Sequence, residues 1–319
     1  MTKPVLLFPG QGSQEVGMSA DIVAHSPAAA ALFQQADDIL GFSLSQLCFE
    51  GPEEALTDTI NVQPALLTAG VAALRAVEEQ LGHPVEAVAA AGHSLGEYSA
   101  LVAAGALSFE DALRLVRERG RLMKLAGERA PGGMAAIIAL DTEKIEEICQ
   151  EASAQSRGPV VIANDNCPGQ VVISGDEEAL NRAMEMATAA KARKVVRLAV
   201  SIAAHSPLMA TVQEEFEAAV AEAAIRPPQF PVIANITARP LTDVDAIRQE
   251  LVGQLQSSVQ WTQSMQYLIG AGNDLFIEFG PGKVLAGLMK RIDRRFRKMP
   301  AVVTWEDVQQ VAASLADAS

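Results

Sequence analysis

Apolar positions along the chain follow two periods, and the change of period divides it into two kinds of segment. Val5–Phe8 is a continuous apolar run, the pattern of a short buried strand, and Pro9-Gly10-Gln11-Gly12-Ser13-Gln14 closes it. Helical spacing fills roughly 15–50, and Pro64–Leu81 is a further apolar helix. Val85–Ala91 predicts a second buried strand, Leu95–Leu107 a helix, and Phe109–Leu125 another. From Gly132 the order changes. Met134–Leu140 predicts a strand, Thr142–Ala154 a helix, and Val160–Ala163 with Val171–Ser174 two strands around a Pro-Gly turn. Glu177–Ala190 predicts a helix with acidic residues in its first turn, and Lys194–Val200 a last strand. The resulting βαββαβ order is the ferredoxin-like arrangement. Because the first kind of pattern resumes after His205, residues 131–200 predict an inserted subdomain in an α/β core formed by 1–130 and 201–319. In that second part Pro227-Pro228 breaks a helix, and Val232–Asn235 and Leu275–Glu278 predict strands, the latter ahead of Gly280-Pro281-Gly282.

Composition changes the picture only in places. With 49% apolar and 20% charged residues, 319 residues can bury a sizeable core without crosslinks, as one large domain or two. The net charge of −14 argues against nonspecific nucleic-acid binding. Cys48, Cys149 and Cys167 match neither a disulfide framework nor metal-ligand spacing, so reduced thiols are expected. VLLF is too short for a signal-peptide core, and no uncharged stretch of 18 apolar residues predicts a membrane span. The expected location is cytoplasmic.

Gly92-His93-Ser94-Leu95-Gly96 fits G-x-S-x-G between an apolar strand and an alanine-rich helix, the setting a nucleophile elbow requires. Small neighbours allow the sharp turn. Ser94 would then stand at a helix N-terminus, where the N–H of Leu95 can meet a developing oxyanion. A serine needs a base, and there are four histidines. His25 lies in a polar helix, His83 in a Gly-His-Pro turn, and His93 beside the serine, where neighbours on an elbow point apart. His205, following the inserted subdomain, is the base by elimination. No acidic residue stands out to orient it.

On the helix over 109–125, Arg114, Arg117 and Arg121 fall on the polar face, but Arg119 falls in or beside the apolar stripe with Leu115, Val116 and Met123. A buried guanidinium requires a carboxylate or phosphate partner. Two accounts stand equally: an internal salt bridge, or a planar fork that grips a substrate carboxylate.

Together these residues resemble the malonyl-CoA:acyl-carrier-protein transacylases, nearly end to end. The resemblance is carried by FPGQGSQ, GHSLGEYSA at 92–100, ERG at 118–120, NDNCPGQVVISG at 164–175, AAHSPLM, SVQW and FGPGKVLAGLMKRI at 279–292. It implies an α/β-hydrolase-like core with the ferredoxin-like subdomain. Ser94 would be acylated, with His205 its base, and the N–H groups of Gln11 and Leu95 would form the oxyanion hole. The backbone carbonyl of Gln260 would orient His205. Arg119 would hold the malonyl carboxylate, with Gln11, Met123 and Asn164 also binding substrate. The implied reaction is ping-pong transfer from malonyl-CoA to the phosphopantetheine thiol of holo acyl carrier protein, with no cofactor or metal. Ala203-Ala204 stand before His205 where many relatives carry a bulkier or hydroxylated residue, which leaves the tolerance of branched malonyl units open, as it leaves fatty-acid or polyketide assembly.

The alternatives are an acyl hydrolase of the same fold and a silent scaffold. Arg119 weighs against the first, since simple acyl groups gain nothing from its charge, and intact Ser94, His205 and Gln11 weigh against the second. The resemblance also implies an acidic carrier, which an acidic enzyme repels unless its docking surface is locally basic. Two clusters qualify: Lys191, Arg193, Lys194 and Arg197, and Lys290, Arg291, Arg294, Arg295, Arg297 and Lys298.

Overall fold

A computed structural model describes residues 3–296 and 298–317; Arg297, one member of the second basic cluster, lies outside them. The strands are β1 (Val5–Phe8), β2 (Ala89–Gly92), β3 (Gly132–Ile138), β4 (Val160–Cys167), β5 (Gln170–Asp176), β6 (Lys194–Arg197), β7 (Val232–Ile233), β8 (Pro240–Leu241), β9 (Phe276–Phe279) and β10 (Ala301–Val302). They form two sheets, one of six strands in the order β10-β9-β1-β2-β7-β8 and one of four in the order β4-β5-β3-β6.

The larger sheet is parallel except at β8, which turns back antiparallel on β7. All four residues of β1 are buried because both faces of the sheet are covered. Leu6, Phe8, Ala90 and Ile277 pack with the helix Thr59–Leu81, while Val5, Leu7, Ala89 and Phe276 pack with the helices Trp261–Gly270 and Val284–Ile292. Thr59–Leu81 is long and apolar enough to cross a membrane, yet 83% of its most apolar window is buried in this core. It starts five residues before the predicted Pro64. The proline has no N–H for the carbonyl of Ile60, and Arg117 Nη1 donates to that carbonyl instead, at 2.9 Å.

The smaller sheet is antiparallel throughout and has the predicted βαββαβ order. Ala135, Ile137, Val171 and Ile173 are covered by Ile145, Ile148, Leu180 and Ala183 of its two helices. Alternation sends Met134 and Val172 to the other face, where they line a cleft against the larger sheet. β6 stops at Arg197, short of the predicted Val200, and Leu198, Ala199 and Val200 line that same cleft. The predicted strand over 85–91 is paired only from Ala89, where the register with Val5 begins. β8 and β10, two residues each, carry no periodicity that sequence can reveal.

Candidate active site

β2 ends at Gly92 and the next helix starts at Gly96, so the chain reverses within three residues. A Cβ on Gly92 would stand 1.9 Å from the backbone of Gly96, and one on Gly96 would stand 2.1 Å from the carbonyl of Phe8. Only glycine fits either place. Ser94, at the apex, has φ 51°, a left-handed conformation that costs a side-chain-bearing residue about 1–2 kcal/mol. Asn235, beyond β7, braces it: its Oδ1 accepts the Ser94 N–H at 2.7 Å, and its Nδ2 donates to Gly92 O at 2.8 Å.

His205 is the histidine brought to the serine, with Ser94 Oγ 2.7 Å from Nε2. It too has positive φ, 59°. Its Nδ1–H faces the carbonyls of Gln254 at 2.9 Å and Ser257 at 3.1 Å, which leaves Nε2 as the acceptor for the serine proton. The expectation for Gln260 is therefore corrected. Its carbonyl accepts from the N–H and Oγ of Ser264, both at 2.9 Å, and so serves the first turn of the helix from Trp261. The orienting carbonyls lie six and three residues earlier, where the chain turns beneath the imidazole. Burial, and then the Arg119 charge, push His205 down to about 3, so it is neutral at ordinary pH and its Nε2 is free to accept a proton.

His93 lines the same cleft but is engaged elsewhere than on Ser94. Its Nε2–H donates to Asn166 Oδ1 of β4 at 2.7 Å, tying the elbow to the smaller sheet. His25 and His83 are exposed.

Arg119 is 2% exposed, and its Nη2 lies 3.1 Å from Ser94 Oγ. Nη1 donates to Gln63 Oε1 at 2.7 Å and Nη2 to Gln254 Oε1 at 3.0 Å. Among the described residues no carboxylate lies within ion-pair distance of it, and its buried Nε has no acceptor. A direct salt bridge is thus absent: the buried cation donates to neutral oxygens and lies 5.8 Å from the centre of the Tyr98 ring, and Glu97 acts on it only from beyond ion-pair distance.

These groups open onto a cleft of about 410 Å³ lined also by Gln11, Leu95, Met123, Asn164 and Ala204. The amides of Gln11 and Leu95 donate to no acceptor among the described residues. Met123 Sδ accepts from Gln63 Nε2 at 3.2 Å. Asn164 sits where β4 is stitched to the larger unit, through Val259 N–H to Ala163 O and Asp165 N–H to Val259 O. Among the described residues no group of three His, Cys, Asp or Glu side chains could hold a metal. The cysteines are buried, and burial pushes the Cys48 and Cys149 thiols up to about 12. Gln63, Asn235 and Gln254 escaped the sequence reading, because amide side chains far from a motif give no local signal.

Residues 5–305 match the acyl transferase domain family. The malonyl CoA-acyl carrier protein transacylase of Staphylococcus aureus (strain COL) is 41% identical over 309 residues, covering 97% of this chain and 98% of that one. The solved malonyl CoA-acyl carrier protein transacylase of Coxiella burnetii superposes with a TM-score of 0.94 at 40% identity, over 99% of this chain and 98% of that one. A malonyl-transacylase solved in complex with its type II PKS acyl-carrier protein superposes with a TM-score of 0.91 at 39% identity, over 98% of this chain and all of that one. With the elbow, its histidine and the cleft matched to relatives over nearly their full length, the chain belongs to the malonyl CoA-acyl carrier protein transacylase family of acyl transferases.

Proposed function

We propose that this enzyme moves the malonyl group from malonyl-CoA to the phosphopantetheine thiol of acyl carrier protein through an ester on Ser94. The observation that carries this is one oxygen with two partners: Ser94 Oγ lies 2.7 Å from a neutral imidazole and 3.1 Å from a guanidinium that no carboxylate among the described residues meets within ion-pair distance. His205 Nε2 takes the hydroxyl proton as Oγ attacks the thioester carbonyl, and the resulting oxyanion rests on the N–H groups of Gln11 and Leu95. The tetrahedral intermediate collapses, the C–S bond breaks, and the CoA thiolate leaves with the proton that His205 returns. The carrier thiol then attacks the ester by the reverse route. Arg119 grips the malonyl carboxylate, and Met123 and Asn164 line the acyl site. The unit 131–200 closes the cleft over the core formed by 1–130 and 201–319, which shelters the ester from water.

Incubation with labelled malonyl-CoA tests this. Stable label is expected on the protein and then on added carrier, and none on Ser94→Ala. Label on that variant at the wild-type level overturns the role of Ser94; release of free malonate alone assigns hydrolysis instead.

A further inference from the structure

Glu97 lies in the helix behind the elbow, fully buried, and no step of the transfer uses it. Each of its oxygens accepts one N–H. Oε1 takes the backbone N–H of Asn235 at 3.2 Å, and Oε2 takes Nε2 of Gln254. The second contact has a consequence at a distance, because an amide has a nitrogen at one end and an oxygen at the other. Gln254 Nε2 is drawn to Glu97 and to Ser94 O, at 3.2 Å from the latter, so Oε1 is left facing Arg119 Nη2 at 3.0 Å. Turned over, Gln254 would set its NH₂ against the guanidinium, donor against donor.

We propose that Glu97 is a positioning residue for acyl-group selection: by accepting the Gln254 amide it keeps Gln254 Oε1 on Arg119 and so aims the guanidinium into the cleft. This rests on the assignment of Arg119 to the malonyl carboxylate. A carboxyl group meets the need, since two N–H groups arrive and each of its oxygens can accept one, even with burial and the nearby Glu250 pushing its pKa well up. A glutamine at 97 that keeps its oxygen on the Asn235 N–H turns its own NH₂ towards the NH₂ of Gln254. Turning Gln254 over relieves that clash at the expense of Arg119. On the other side Gln63 is set by neutral groups, its Nε2 donating to Thr59 Oγ1 and Met123 Sδ, so Glu97 is the carboxylate in this frame.

The test compares kcat/KM for malonyl-CoA and acetyl-CoA in the full chain. In Glu97→Gln the malonyl-to-acetyl ratio should fall about tenfold or more, the cost of one mispaired buried hydrogen bond to a charged group. Acetyl turnover, which has no carboxylate to place, should stay close to the wild-type value. Proportional losses for both substrates overturn the proposal. Glu97→Gln combined with Gln254→Leu has no donor clash, and it is expected to show the ratio of Gln254→Leu alone. Losses that multiply mean that Glu97 does not act through Gln254 and also overturn the proposal. This pair supplies the result should the single variant not fold. Arg119→Ala separates the two levels. An unchanged ratio there overturns the Arg119 assignment and this proposal with it, whereas a fallen ratio there beside an unchanged one in Glu97→Gln overturns this proposal alone.

Discussion

Between Ser94 and His205 the geometry is that of a serine–histidine pair without an acid, and two backbone carbonyls occupy the place of the acid. A carboxylate there would hold the imidazolium and raise its pKa; neutral carbonyls do so less, and burial wins. With His205 at about 3, the imidazole is charged only below that pH, and it is ready to take a proton across the ordinary range. The acid limb of kcat/KM for acyl-enzyme formation from acetyl-CoA should therefore lie below the imidazole reference of about 6.5. The Arg119 charge pushes in the same direction, so Arg119→Ala should move that limb upward. A wild-type limb at the reference value, or one unmoved by the substitution, contradicts the assignment. At this scale the sequence was legible wherever chemistry needed a residue type in a local pattern. Ser94 declared itself by two glycines, His205 by elimination among four, and Arg119 by standing on the wrong face of its helix. The partner of Nδ1 did not, because any residue offers a carbonyl and only the path of the chain decides which one arrives.

Elements were legible in proportion to how much side-chain burial specifies them. The inserted βαββαβ unit was readable from alternation, helix by helix, and its register follows from which residues must face their own two helices. The helical spacing expected through roughly 15–50, which carried no internal boundaries, resolves into three helices, Ala20–His25, Pro27–Leu40 and Leu44–Glu50, separated at Ser26 and Gly41. Ser26 caps the second through Ala29 N–H, and Gly41, with φ 72°, ends it. Apolar spacing runs on across such breaks, and only the caps mark them. The edge strands β8 and β10 exist through pairing with β7 and β9, not through any preference of their own residues. The helix Val284–Ile292 shows the same dependence on tertiary context, since its first N–H groups, on Leu285 and Ala286, donate to Glu278 of β9. Burial pushes that carboxyl up to about 7, and the helix it anchors brings Leu285 and Leu288 to the cleft.

Over the whole molecule the charge is −14, while exposed basic residues gather beside the cleft. Leu198–Val200, which line it, continue the strand that carries Lys194 and Arg197, and Val284–Ile292, which lines it too, ends in Lys290 and Arg291. Some of these charges are already engaged: Arg197 pairs with Glu177 at 2.5 Å, Arg295 with Asp293 at 2.7 Å, and Arg291 donates to Gln170. Lys191, Arg193 and Lys194 in the first cluster and Lys290, Arg294 and Lys298 in the second pair with no carboxylate among the described residues, which leaves both clusters open to an acidic carrier, and the second is tested first. Charge reversal at Lys290 and Arg294 should raise KM for the carrier and leave malonyl-enzyme formation unchanged. The defect should shrink with added salt, because exposed charges are screened over about 10 Å at 0.1 M. Carrier kinetics at wild-type values after reversal exclude this face as the dock.

The guanidinium of Arg119, sealed among neutral oxygens, also bears on how firmly the empty enzyme is folded. Solvation lost on burial is recovered only in part by neutral acceptors, so the resting fold carries a standing electrostatic penalty. Arrival of a carboxylate relieves it, and whatever binds the native state alone stabilises that state. The malonyl-enzyme should accordingly melt at a higher temperature than the acetyl-enzyme, which carries the same ester without the charge; equal melting temperatures would show that the penalty is already met within the protein. The acyl group that the enzyme selects is then also the one that braces it, and the loaded form is the sturdier of the two states between which it cycles.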